Sequence, residues 1–403
     1  MKQQKPRILI LGDAVATTGF AKVIYEIFFP LKDEYELFQL GTNYFGDPHE
    51  WPWKIFPAKI GQYSTGEQRL ADLVKNIKPD LVFMLQDPWV QIKYLAIMKH
   101  FPHIPTVVYA SFNSGNIEAS LPAKLQSANR FVVYTEFAKT ALKEAISNND
   151  SISFPTIEVI PHGVDSVTFS PLASDRTIAK KIARKQLYPD ENHALQNGFI
   201  VLNANRNQPR KRIDTTMEGF HLFSKDKKDE AFLHLHMGLK DIGWDIKNLA
   251  KRYQLENQLV FSTESPNAPR FTETTLNTIF NAADVGINTA SSEGWGLLSF
   301  EQAAAGLAQV VPNHTSGKEL WSNTGCLLEP SITLVDPHTN INEHIIRPET
   351  VAESLEKLWN DMNYLRDVEE KCYNNAMQSK YDWKRISKQW KTIFEEELMA
   401  VVS

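Results

Sequence analysis

Residues 7–31 read RILILGDAVATTGFAKVIYEIFFPL. The first five are almost wholly apolar, the pattern of a strand covered on both faces in a parallel sheet. A glycine-containing loop follows, and from Ala21 apolar side chains return at helical spacing. Strand, loop and helix in that order open a βαβ unit. Short apolar runs recur at 80–85 (DLVFML), 106–111 (TVVYAS) and 130–135 (RFVVYT), with helical patterns between them at 67–78 and 137–146. This alternation predicts a doubly wound α/β domain that takes ligands at the carboxyl ends of its strands. Gly12 and Gly19 lie seven apart, so the first loop is not a G-x-G-x-x-G dinucleotide fingerprint.

The pattern resets at 157–171, IEVIPHGVDSVTFSP, and a second series begins at 199–206 with FIVLNANR. Its further strands are expected at 231–238, 259–263, 285–290 and 308–313, with helices at 214–225, 272–283 and 298–306 between them. From Arg347 onward the chain reads as helices. The expected fold class is therefore α/β, two tandem Rossmann-like doubly wound domains with C-terminal helices. The expected division is 1–165, 166–380 and a helical segment 381–403 that packs back on the first domain. At 403 residues two domains are the natural prior.

Composition narrows the function classes. A net charge of -5 supplies no global basic field for nucleic acid or acidic membranes. The two cysteines, Cys326 and Cys372, form neither a disulfide framework nor a metal-ligand spacing, which fits a reduced, cytoplasmic compartment. No apolar run reaches the ~18 residues of a membrane span.

Chemistry concentrates in 285–306, VGINTASSEGWGLLSFEQAAAG. A strand is expected to end near Thr289 and a helix to start near Leu298, with glycines between them where backbone must approach a ligand closely. The unpartnered N–H groups at the helix start, with the helix dipole, make an anion site. Glu301 is expected in the first helical turn and Glu293 on the other side of any bound phosphate, so both carboxylates can hold hydroxyls. A plain glutamate-rich junction is the competing reading. The spacing of Glu293, Gly294, Trp295, Gly296 and Glu301 resembles the E-x7-E motif of retaining family 4 glycosyltransferases, which have the two-Rossmann GT-B fold with a cleft between the domains. That resemblance implies a nucleoside diphosphate sugar as donor. It gives ribose binding to Glu301, diphosphate binding to the backbone of Gly294, Gly296, Leu297 and Leu298, and contact with the transferred sugar to Glu293. It implies no further cofactor.

A departing diphosphate needs cations aimed at it. NANRNQPRKRID (203–214) places Arg206 and Lys211 just after the first strand of the second series. The pair resembles the family's Arg…Lys pair, with Asn205 and Arg212 where glycines are usual. Arg206 suits bidentate phosphate contact and Lys211 a point charge; Arg210 and Arg212 read as water-facing. Most such runs are solvated charge clusters, and the position at a strand end is what sets this one apart. The segment 159–171 resembles the family's interdomain linker, with Gly163 at a special backbone angle, Asp165 as a cap and His162 as a structural hinge residue rather than a base. Pro312, Asn313 and Glu319 match a family segment that closes the donor pocket, and His314 there reads as a satisfied polar residue. In the first domain Gly19 is the residue the resemblance transfers, and Thr18 a weaker match. The histidine common there is missing, leaving Ser111 or Asn113 in its place.

Tyr44, Phe45, Trp51, Trp53 and Trp89 gather in segments read as loops, where rings either stack on a ligand or fill core. Asp87, ending a strand, is an acceptor-site candidate. No Asp-x-Asp pair or histidine cluster lies in the expected cleft loops, so no metal is expected. The alternatives are a nucleotide-sugar 2-epimerase, which would need its own acid and base, and a non-catalytic module that keeps the donor pocket. A glycan, a small metabolite and a hydroxylated DNA base all remain as acceptors. NYFGDPH (43–49) and FNSGN (112–116) are similar to segments of phage-encoded glycosyltransferases, which favours the DNA base. Donor sugar, donor base and oligomeric state are not readable.

Overall fold

The structure is a computed structural model that describes residues 5–147, 152–190, 193–337 and 339–402. The chain divides into two compact units, one built from the residues up to Gly163 and the segment from Ser379, the other from Val164–Gln378. Among the described residues no helix is long and apolar enough to cross a membrane.

Unit 1 carries strands β1 (Arg7–Asp13), β2 (Glu36–Thr42), β3 (Lys54–Pro57), β4 (Leu81–Gln86), β5 (Thr106–Ala110), β6 (Arg130–Val133) and β7 (Ile157–Val159). They form one parallel sheet in the order β3-β2-β1-β4-β5-β6-β7. Every residue of β4 and β5 is buried, as a strand with helices over both faces requires. The C-terminal helix Trp383–Val402 belongs to this unit. Its Phe394 ring stacks on Phe28 at 5.4 Å, its Trp390 meets Phe83 edge-on at 5.2 Å, and Ser387 Oγ donates to Ile27 O at 2.9 Å.

Unit 2 repeats the plan with β8 (Phe199–Asn203), β9 (Ala231–Leu235), β10 (Leu259–Phe261), β11 (Val285–Ile287), β12 (Ala308–Pro312) and β13 (Cys326–Leu328). They are parallel in the order β10-β9-β8-β11-β12-β13. The strand order reverses between β8 and β11, so the loops leaving these two neighbours lie side by side. Asp284 anchors the start of β11. It accepts from Ile200 N (2.7 Å), Arg184 Nη2 (2.7 Å) and Lys180 Nζ (2.9 Å), which fixes the helix Arg176–Leu187 against the sheet. Burial opposes its charge, but these donors win and hold its pKa below the ordinary aspartate value.

Three features differ from the sequence expectations. Strand β3 lies inside the stretch 41–58 that reads as aromatic loop, and β2 runs into the start of that stretch. Gln39 sits inside β2 and hides its pattern, yet it is buried because it donates to Asp13 O (2.9 Å) and accepts from Trp53 Nε1 (2.9 Å). An antiparallel hairpin, β14 (Pro330–Val335) and β15 (Asn342–Ile346), precedes the helix Pro348–Asn360.

The third difference is Gly163, whose φ lies outside the left-handed region. It is needed for space, since a Cβ there would lie 2.6 Å from the Trp383 indole. Gly163→Ala is expected to destabilise unit 1 by about 1–3 kcal/mol, the cost of overpacking. Urea unfolding should show a lower midpoint with an unchanged slope; an unchanged midpoint would mean that the indole yields freely.

Candidate active site

The loop after β8 ends in a short 3-10 turn, Pro209–Lys211, and Arg212 follows at φ 49°. That turn directs Arg210 and Lys211 at the neighbouring loop after β11. The two loops are joined by backbone and side chain: Ser291 N donates to Arg210 O at 2.8 Å, and Thr289 Oγ1 to Arg212 O at 2.9 Å. Below them Asn203 Nδ2 donates to Thr216 Oγ1 (3.0 Å), and Thr216 bonds Thr289 at 2.7 Å. A network satisfied in this way is rigid.

Glu293 stands at the centre and is buried. One carboxylate oxygen pairs with Lys211 Nζ and accepts from Asn288 Nδ2 at 3.4 Å. The other lies 3.5 Å from Arg210 Nη1, which also donates to Ser292 O at 2.6 Å. Its backbone is gripped too: Ser316 Oγ donates to Glu293 O at 2.7 Å, and Glu293 N donates to Thr315 Oγ1 at 3.3 Å. Burial alone would raise the Glu293 pKa. Lys211 first, then Arg210 and the hydrogen bonds, outweigh burial and hold it down at about 2. Burial pushes the Lys211 ammonium below its ordinary value, against the pull of Glu293.

The helix Leu297–Ala304 begins one residue earlier than expected, capped by Gly296 at φ +88°. Glycine suits that left-handed backbone, and a Cβ there would still be 3.8 Å from Glu293 Cγ. Its first internal hydrogen bond comes from Ser299 N to Gly296 O (3.0 Å), so the N–H groups of Leu297 and Leu298 precede the helical ladder. Gly296, Leu297 and Leu298 are half-buried, whereas Gly294 is buried. With the earlier start, Glu301 is the fifth residue of the helix and lies in its second turn, not its first. It is buried.

Lys211 and Glu293 are thus brought together, with the glycine-capped helix start beside them. Arg206 does not join them. Its side chain is 53% exposed and forked onto Asp241, Nε to Oδ2 at 2.5 Å and Nη2 to Oδ1 at 3.0 Å. Asn207 explains the separation, because it ties this part of the loop to Gly238 O (3.1 Å) and Trp244 O (2.7 Å). Arg210, expected to face water, takes the second position on Glu293. Thr315, Ser316 and Asn288 were not singled out by sequence, since small polar residues after a strand carry no spacing signal. The hairpin also reaches the loop: His344 N donates to Ser291 O (2.8 Å), Ser291 Oγ donates to Glu343 Oε1 (3.1 Å), and His344 stacks on His314 at 4.7 Å. Burial pushes His314 down to about 3, so it is neutral.

In unit 1, Gly19 is the exposed first residue of the helix Gly19–Phe28. Thr18 caps that helix, accepting from Ala21 N (3.2 Å) while donating to Asp13 Oδ2 (2.7 Å). Asp13, ending β1, also accepts from Thr42 and from Gln86 Nε2 (2.8 Å), which end β2 and β4. Ser111 and Asn113 are half-buried just beyond β5. His162 is buried, bonded to Tyr109 Oη at 2.8 Å and packed on Tyr134 at 4.4 Å. Burial drives it down to about 3, so the ring is neutral. Asp165 caps its turn as expected, accepting from Val167 N (3.0 Å) and Thr168 N (3.1 Å).

No protein-family model and no curated protein matches the sequence. Solved structures do match. HepE from Anabaena, in a structure with UDP and glucose, is 16% identical at a TM-score of 0.71, over 97% of this chain and 100% of that one. Sucrose-phosphate synthase from Thermosynechococcus elongatus is 15% identical at 0.72, over 98% and 100%. The α,α-trehalose 6-phosphate synthase of Burkholderia multivorans is 11% identical at 0.67, over 99% of each chain. The fold is GT-B. At these identities the likeness is one of GT-B architecture, and the site rests on its own geometry.

Proposed function

We propose that this GT-B protein is a glycosyltransferase that moves a hexosyl or pentosyl group from a nucleoside diphosphate sugar to an acceptor hydroxyl, with retention of configuration. The observation that carries the reading is the clustering of Lys211, Arg210 and Glu293 beside the Gly296-capped helix start. A diphosphate fits there, its oxygens on the Leu297 and Leu298 N–H groups and on Lys211. Glu301 holds the ribose diol and Glu293 orients the sugar. As the bond from the anomeric carbon to the phosphate oxygen breaks, its electron pair goes to the diphosphate. The acceptor oxygen bonds the same face of the anomeric carbon, and its proton passes to the departing phosphate oxygen. Arg206 supplies a further cation once it exchanges Asp241 for phosphate. Side chains and backbone, rather than a metal, meet the leaving charge. Known GT-B structures solved with UDP and with UDP-glucose support this class of donor.

A thermal-shift panel of nucleoside diphosphates and their sugars tests it. A ligand at 100 times its dissociation constant should stabilise by about 2.7 kcal/mol. Glu301→Ala should shrink the shift given by the best nucleotide, because the ribose loses its acceptor. No shift with any nucleotide would remove the donor assignment.

A further inference from the structure

A second surface, in unit 1, lies outside these donor loops. Strands β2, β3 and β4 end at Thr42, Pro57 and Gln86, and the segments that follow them touch one another. Lys59 Nζ sits 5.5 Å from the Phe45 ring centre, Tyr94 Oη donates to Thr65 O at 2.5 Å, and Lys93 Nζ is 3.4 Å from Glu67. On this surface Phe45 is 66%, Trp89 58% and Tyr63 47% exposed, with Ile60 bonded to Tyr63 through both backbones. Trp53 and Tyr44 of the same stretch are buried, so the fold has places for rings and leaves these three in water. The segments that carry these exposed rings adjoin one another, exposed apolar area of this kind marks a binding surface, and the carboxyl ends of strands are where open α/β sheets bind ligands.

Charge selects the ligand. Across 43–67 and 87–93 the carboxylates are Asp47, Glu50, Glu67 and Asp87, and the ammoniums are Lys54, Lys59 and Lys93. A single-stranded nucleic acid stacks on rings too, but it also needs a net positive track for its phosphates. This surface has no such excess. A neutral pyranose needs no such excess: its C–H face suits an aromatic ring, and its hydroxyls suit a mixture of carboxylates and ammoniums.

We propose that Phe45, Tyr63 and Trp89 form a stacking surface for a neutral oligosaccharide, the acceptor. The acceptor role rests on the glycosyltransferase reading above; the surface itself does not. The test is calorimetric titration of the full chain with neutral hexasaccharides of glucose, xylose and N-acetylglucosamine, and with oligo-dT at physiological salt. At least one neutral saccharide should bind, and Trp89→Ala and Phe45→Ala should each weaken it about tenfold, the scale of one lost ring contact. Both variants should melt as the wild type does, because the rings are exposed. No saccharide binding, affinity indifferent to both substitutions, or oligo-dT binding that the substitutions weaken would each overturn the proposal. The nucleotide panel on the wild type separates the two claims. Nucleotide binding without saccharide binding defeats the surface alone, and saccharide binding without nucleotide binding defeats the donor site alone.

Discussion

Lys211→Ala is expected to abolish transfer and to lower folding stability by about 3–5 kcal/mol, since it leaves the buried Glu293 carboxylate short of its main partner. Arg210, at 3.5 Å and half-exposed, replaces little of what is lost. Denaturant unfolding and turnover should both report the change. A double variant, Lys211→Met with Glu293→Gln, separates the two effects: stability should largely return because no lone charge is buried, while transfer stays absent. If the double variant recovered transfer, the pair would be structural only. The same pair gives an acid limb. The folded pKa of Glu293, at about 2, is below its ordinary 4.5, so its stabilisation is complete above 4.5 and is lost as pH falls through about 2. Glu293→Gln should flatten that part of the stability profile.

Arg206→Ala should behave in the opposite way. Its ion pair with Asp241 is exposed, so stability should change by about 1 kcal/mol or less. Turnover should fall by about 2–4 kcal/mol in barrier height, the worth of one donor to a developing anion. Single-turnover kinetics with saturating donor would isolate that step. Unchanged turnover would leave Arg206 as a tether for the Asp241 segment, and the leaving-group cations would then be Lys211 and Arg210.

The contrast between these two residues shows what the sequence could disclose. Strands such as β4 and β5, buried on both faces, write themselves as unbroken apolar runs. A strand end, a glycine cap and a helix follow one another in the order that 285–306 predicts, because local pattern and a glycine suffice to set that order. The partner of a charge is set by tertiary contact, and so Arg210 and Arg206 exchanged places between expectation and structure. Strand β2 was hidden because Gln39 is buried yet polar, and its partners, Asp13 O and Trp53 Nε1, are distant in sequence. The hairpin β14–β15 was hidden for a related reason: β14 is mostly exposed, so its side chains show no burial pattern. The aromatic segment divided, with Trp53 in the core and Trp89 in solvent, and no local rule separates the two.

The donor site is tested most directly by a crystal structure of the chain with the nucleoside diphosphate that gives the largest thermal shift. The diphosphate is expected against the backbone of Gly296, Leu297 and Leu298, with Lys211 on its oxygens and the ribose hydroxyls on Glu301. A nucleotide seated away from that helix start, or with its ribose turned from Glu301, would contradict the assignment.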